Sequence, residues 1–307
     1  MNRKTAVLLL PVAAMLLVAS CARQPLFTVV EREVEAEDVR LYLRVAGDPD
    51  ARNFLIGVHG GPGGSSHYLV DLDTLRGESF AVVTYDQRGA GRSGQPSGGY
   101  ALLDYVADIE AIRKTLGAGQ VDLFGHSWGG LVALRYATVY PERVRSIVLM
   151  GSGPPTASAA FDAEARIVQR VLALQEEGLI PRRLPEDGES MIRAIFPVYF
   201  SDPRFSIPPE LQAMTFSPAA SESTNAALGQ WDITGELERL EHPVLVLWGE
   251  DDPFGMEMAE ATRRALSSAR TEFVLLEDCG HYWHERKAEF YSRVRAFLDL
   301  PAVQTAE

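Results

Sequence analysis

The pentapeptide Gly125-His126-Ser127-Trp128-Gly129 sets a serine between two glycines, directly after the short apolar run Val121–Phe124. The run reads as a strand and Leu131–Val139 as a helix, so Ser127 falls on a strand-to-helix turn, the setting of a G-x-S-x-G nucleophile. A serine hydroxyl is a weak nucleophile at neutral pH and needs a base within hydrogen-bond reach. The base needs an acceptor that fixes its tautomer and stabilises its protonated form. Two histidines near the end of the chain could serve: His281, which follows a glycine, and His284. His284 is expected inside the last helix, which favours His281. Glu250, Asp251 and Asp252 all offer a carboxylate after the apolar run Val244–Trp248, with Asp278 a weaker rival. Acyl transfer also develops an oxyanion, and backbone N–H groups must already be aimed at it. The N–H of Trp128, next after the serine, is one donor. The glycine-rich stretch His59-Gly60-Gly61-Pro62-Gly63 supplies the second, at Gly61. His59 and His126 are expected to line the site without acting as base, and His67 and His242 to be solvated or capping.

The elements that must hold these residues alternate along the chain. Phe27–Val34 and Val39–Val45 suggest a hairpin. Apolar runs at Asn53–Val58, Phe80–Tyr85, Val121–Phe124 and Ser146–Met150 read as strands, with a helical pattern over Leu102–Leu116 between them. Near-continuous apolar strands alternating with helices imply a parallel sheet covered on both faces. The rhythm breaks at Gly153-Pro154-Pro155 and resumes at Val244, followed by a helix near Met256–Leu266, a strand at Glu272–Leu276 and a helix near Glu285–Leu298. Residues 22–153 and 241–300 therefore read as an α/β core, and the proline-interrupted, aromatic-rich residues 154–240 as an inserted helical cap. In such a core the nucleophile, the acid and the base follow in that chain order at the C-terminal edge of the sheet. Phe196, Tyr199, Phe200, Phe205, Phe216 and Trp231 could line a pocket under the cap, although holding the cap together is the expected role for most of them.

Three boxes then carry a resemblance. His59-Gly60-Gly61-Pro62-Gly63, Asp86-Gln87-Arg88-Gly89-x-Gly91-x-Ser93 and Gly125-x-Ser127-Trp128-Gly129-Gly130, with Tyr140-Pro141-Glu142-Arg143-Val144, resemble the proline iminopeptidase family. It covers about Val29–Gly151 and Val244–Leu298. It implies an α/β-hydrolase fold and release of an N-terminal residue, often proline. It also implies a triad of Ser127, Asp252 and His281, since the family's acid lies three residues after the strand-end glycine. His126, with Trp231-Asp232-Ile233-Thr234, is more similar to the branch that trims peptides downstream of tricorn protease. Members hold the substrate's α-ammonium with cap or loop glutamates, which here implies Glu222. A glutamate that can follow the acid is replaced by Pro253. An esterase or amide hydrolase on small uncharged substrates is the alternative.

The remaining sequence bounds the partners. A formal charge of −13 argues against nucleic acid, whose phosphates are bound through Lys and Arg. No cofactor is implied, and no Cys/His cluster has metal spacing. Arg3 and Lys4, an apolar run over 6–19 and the exit Val18-Ala19-Ser20-Cys21 describe an export signal over residues 1–21, and the exit resembles a bacterial lipobox. Lipidation of Cys21 would anchor an exported protein to a membrane and leave Cys279 alone, as a buried filler.

Overall fold

The computed structural model describes residues 28–48, 51–77 and 79–300. The expected signal segment and Cys21 lie outside them. Eight strands form one sheet: β1 (Thr28–Glu35), β2 (Arg40–Gly47), β3 (Asn53–Val58), β4 (Phe80–Tyr85), β5 (Val121–His126), β6 (Val144–Met150), β7 (Pro243–Gly249) and β8 (Arg270–Leu276), in the order β1-β2-β4-β3-β5-β6-β7-β8. β1 and β2 make the expected antiparallel hairpin, with Thr28 opposite Gly47 and Glu35 opposite Arg40, and β2 runs antiparallel to β4. The other pairings are parallel.

β4 and β5 are buried along their whole lengths, which is why their sequences are mostly apolar rather than alternating, with the buried exception Asp122 bonded to Arg145 and Ser146. One face of the sheet packs against α1 (Leu102–Thr115) and α2 (Trp128–Val139), with Ile109, Ile112, Leu134 and Tyr136 in its core. The other packs against a 3₁₀ segment at Ser66–Leu75 and against α9 (Lys287–Phe297), through Leu69, Leu72, Trp283 and Phe290.

The 3₁₀ segment is a difference from the sequence reading, which has no element there. Ser66, Leu69, Leu72 and Leu75 are all buried, a spacing of three that suits a helix of three residues per turn and matches neither a strand nor an α-helix. α2 also starts three residues earlier than expected, its first turn being the glycines after Ser127. The last helix starts only at Lys287, so His284 sits in a 3₁₀ turn, Trp283–Arg286, ahead of it.

Between β6 and β7 come α3 (Ala157–Glu176), α4 (Gly188–Ile195), α5 (Pro209–Gln212), α6 (Pro218–Leu228) and α7 (Thr234–Leu237), while α8 (Met256–Ala265) follows β7. α3 packs on α8. Residues 154–240 thus lie over the C-terminal ends of the strands, where the chemistry-bearing loops emerge.

Candidate active site

Ser127 stands between β5 and α2 with φ 54° and ψ −128°, a conformation that non-glycine residues seldom adopt. Its own backbone holds it there. The Ser127 N–H donates to Met150 O at 3.1 Å, and Ser127 O accepts from Gly130 N at 2.8 Å and Gly153 N at 2.7 Å. The turn also needs close approach. A Cβ on Gly129 would lie 2.1 Å from the carbonyl oxygen of Val58, so the elbow is pressed against the end of β3.

His281 follows β8 and Asp252 follows β7, and both are almost fully buried. His281 Nδ1 bonds Asp252 Oδ2 at 2.8 Å. Asp252 Oδ1 accepts from Phe254 N at 3.0 Å, and the His281 N–H donates to Tyr199 O at 2.7 Å. The carboxylate therefore takes Nδ1–H and leaves Nε2 to face the cavity that His281 and Ser127 both line. The rivals face elsewhere. Glu250 is exposed, Asp251 accepts from Ser201 Oγ at 2.6 Å, and Asp278 pairs with Arg286 on the surface. His284 Nε2 lies 3.5 Å from Glu210 and 3.9 Å from Asp71.

Gly61 and Trp128 line the same cavity as Ser127. Trp128 opens α2, so its N–H belongs to the first turn, which has no intrahelical acceptor. Its side chain is tied back into the core: Trp128 Nε1 donates to Gln87 Oε1 at 2.9 Å, and the Gln87 N–H to His59 Nε2 at 3.0 Å. His59 must then carry its proton on Nδ1, which donates to Gly60 O at 2.7 Å. Burial keeps that imidazole neutral by pushing its pKa down. The glycine loop is stitched to the cap, since Ser217 N donates to Gly63 O at 2.8 Å, Thr215 N to Ser65 Oγ at 2.9 Å, and Gly64 pairs with Phe216.

The cavity has two lobes that meet at Ser127, of about 410 and 340 Å³. Trp128, Leu131, Leu228, Trp231 and Met258 line one, and Tyr68, Phe196, Tyr199, Phe216 and His281 the other. Gly61, Ser127, Glu164, Asn225 and Phe254 border both. Phe200 and Phe205 pack on each other at 5.0 Å, outside the lining.

Glu222 is not brought to this site. α6 turns Ser221 and Asn225, four residues apart, toward the cavity; Glu222 is rotated about 100° from Ser221 and is exposed. The carboxylate that lines the cavity with Ser127 is Glu164 on α3, itself solvent-exposed, which the sequence reading missed. Its signal is a charge three residues from both Phe161 and Ile167 on one helix face.

Among the described residues, the grouping with metal-ligand character is Asp71, Glu210 and His284. Lys287 already supplies its cation, bonded to Asp71 and 3.8 Å from Glu210. Cys279 is buried and its thiol is pushed up by burial, which makes it a poor nucleophile.

Over residues 53–288 the chain matches the family described as the alpha/beta hydrolase fold. It is 27% identical over 233 residues to a proline iminopeptidase of Lacticaseibacillus rhamnosus (strain Lc 705), covering 70% of this chain and 79% of the relative. With a proline iminopeptidase of Saccharolobus solfataricus it shares 25% over 298 residues, covering 85% and 89%. Among solved structures it is similar to a proline iminopeptidase of Mycobacterium smegmatis, with a TM-score of 0.67 and 20% identity over 88% of this chain and 98% of the other. An esterase of Exiguobacterium antarcticum gives a TM-score of 0.68 at 20% identity, over 88% and 100%.

Proposed function

Since the chain belongs to the α/β-hydrolase fold family and resembles its proline iminopeptidases, we propose that this hydrolase is a serine aminopeptidase that releases N-terminal residues from small peptides. Ser127 attacks the first peptide carbonyl while His281 Nε2 takes its proton, and Asp252 holds the resulting imidazolium through Nδ1–H. The N–H groups of Gly61 and Trp128 donate to the oxyanion. Collapse expels the amine, protonated by His281, and water then releases the acyl group by the same steps.

The observation that carries the peptidase reading is Glu164. An N-terminal α-ammonium sits one carbon from the scissile carbonyl, so it must lie where the lobes meet, and Glu164 borders both beside Ser127. Glu164 is solvent-exposed, so it offers the ammonium a partly screened carboxylate partner. Glu164→Gln should lower kcat/KM on proline p-nitroanilide up to about fivefold, the loss of an exposed charge pair of up to about 1 kcal/mol, and leave p-nitrophenyl acetate unaffected. Glu222→Gln should change neither. An equal loss on both substrates, or none on either, would sink the aminopeptidase reading.

The second reading is an esterase or amide hydrolase on small uncharged substrates, favoured by the apolar lobes and by Glu164 being the single carboxylate among the described lining residues. Ser127→Ala should abolish turnover and fluorophosphonate labelling under either reading. The lipobox-like exit at Cys21 supports a lipid anchor on an exported protein; labelled palmitate should mark the wild type and not Cys21→Ser.

A further inference from the structure

His126 and Tyr68 are both 1% exposed, and neither takes part in the acyl transfer described above. They form a single chain of hydrogen bonds between its two halves. The Gly60 N–H lies 2.6 Å from Tyr68 Oη, Tyr68 Oη lies 2.7 Å from His126 Nδ1, and His126 Nε2 lies 3.0 Å from the carbonyl oxygen of His281. The direction of every proton follows from the two ends. A backbone N–H can only donate, so Tyr68 accepts from Gly60 and spends its own proton on His126 Nδ1. A carbonyl can only accept, so His126 carries its proton on Nε2 and gives it to His281 O.

The order requires a neutral His126, and its burial, with His281 beside it, pushes that imidazole well below the ordinary range. There is no slack around it. A Cβ on Gly60 would lie 3.0 Å from Ser127 Cβ and 3.1 Å from His126 Nδ1, and the rings of His126 and His281 stand 4.7 Å apart.

Gly60 precedes the oxyanion donor Gly61, and His126 precedes Ser127. We propose that Tyr68 and His126 are positioning residues: their chain sets the aim of the Gly61 N–H and the seat of the His281 backbone together. The proposal rests on the Ser127–His281–Asp252 reading of the site. The oxyanion donor is needed most as charge develops, so its misalignment should show in kcat and not in KM.

Tyr68→Phe removes one oxygen and both of its bonds. His126→Asn puts an amide where Nδ1 stands and can keep Tyr68, while losing the His281 carbonyl. His126→Gln puts one where Nε2 stands and can keep the carbonyl, while losing Tyr68. On p-nitrophenyl acetate, Tyr68→Phe should lower kcat about 10- to 100-fold, with KM within about twofold and the thermal midpoint lowered by a few degrees, since the Gly60 N–H and His126 Nδ1 lose their partner. Fluorophosphonate should still label Ser127, slowed by a similar factor. The double variant Tyr68→Phe/His126→Gln should be no worse than the more damaged single variant, because both break the same link.

Wild-type kcat in Tyr68→Phe, a loss confined to KM, or multiplicative losses in the double variant would overturn the proposal while leaving the serine-hydrolase reading intact. Failure of the wild type to label at Ser127 would instead remove that reading. Should Tyr68→Phe not fold, His126→Asn and His126→Gln carry the same test: equal, wild-type kcat in both would refute it.

Discussion

At the scale of single residues the site is a set of tight placements, and the two that matter most for the proposed base, His281, are Asp252 and Gly151. Asp252→Asn keeps the shape but presents an amide to His281 Nδ1, so the imidazole loses the acceptor that fixes its tautomer. Turnover of p-nitrophenyl acetate should drop about 10⁴-fold with little change in KM; a fall below tenfold would mean another group orients His281. Gly151 has φ +51°, and a Cβ there would sit 2.8 Å from His281 Nδ1 and 3.1 Å from Asp252 Oδ2. Gly151→Ala should therefore cost about 1–2 kcal/mol of stability from the left-handed backbone and, by pushing the base off its seat, on the order of 100-fold in kcat. Chemical denaturation and steady-state rates measure the two effects separately, and an unimpaired rate would show that the pair can move aside. The sequence makes Ser127 legible, because its motif has a local cause in the strand-to-helix turn. The candidacy of His281 and Asp252 needs chain order and a resemblance besides. Gly151 has no such signal, since its neighbours Asp252 and His281 come from two separate loops far along the chain. Glu222 shows the opposite failure: a step of one residue on a helix turns a side chain away from the cavity.

At the scale of elements, the Asp86-Gln87-Arg88-Gly89 turn after β4 is a bracket for the glycine loop rather than a source of reacting groups. Asp86 Oδ1 accepts from Ser66 N at 2.8 Å and Ser66 Oγ at 2.7 Å, and Oδ2 from Arg92 N at 2.8 Å. Arg88 is buried against Asp108, with two bonds of 2.8 Å. Burial pushes the Asp86 carboxyl up, but the donors from Arg92 and Ser66 outweigh it and hold the pKa below its ordinary value. A depressed carboxyl contributes stability at pH above its unfolded value, lost as pH falls through the folded one. Asp86→Asn should thus destabilise the protein by about 1.5–3 kcal/mol at pH 7, and the gap from wild type should narrow once the pH drops below about 3.9. Urea midpoints across that range give the test; a gap constant with pH would mean that shape and not charge matters. The central strands were the easiest elements to foresee, because burial on both faces writes a mostly apolar run, as in β4 and β7. The prolines set residues 154–240 apart and a helical insert was expected there, but the bounds of its individual helices were not legible, since their faces are decided by what they cover.

At the scale of the whole molecule, three imidazoles are held neutral in the interior. His59 and His126 are pushed down by burial, and His284 is brought to about 4 by burial against the pull of Asp71 and Glu210. Depressed folded values mean that the unfolded chain binds protons first, so stability is present above about 6.5 and is lost as pH falls below it. Each group contributes a slope approaching 1.4 kcal/mol per pH unit. Denaturation midpoints at pH 7.5, 6.0 and 5.0 should decline, offset in part by Asp108, whose carboxyl burial raises to about 6 so that the fold takes up its proton first; a level profile would require these rings to be charged in the fold. The stitching of Gly63, Gly64 and Ser65 to Thr215, Phe216 and Ser217 has its own consequence. Lifting that stretch of the cap must either break these bonds or drag the glycine loop out of register with Ser127. If the Gly61 N–H serves the oxyanion as proposed, the molecule is then either ajar or armed: widening the way in at this edge would disarm Ser127, and only a guest over which the cap has settled would meet a complete set of reacting groups.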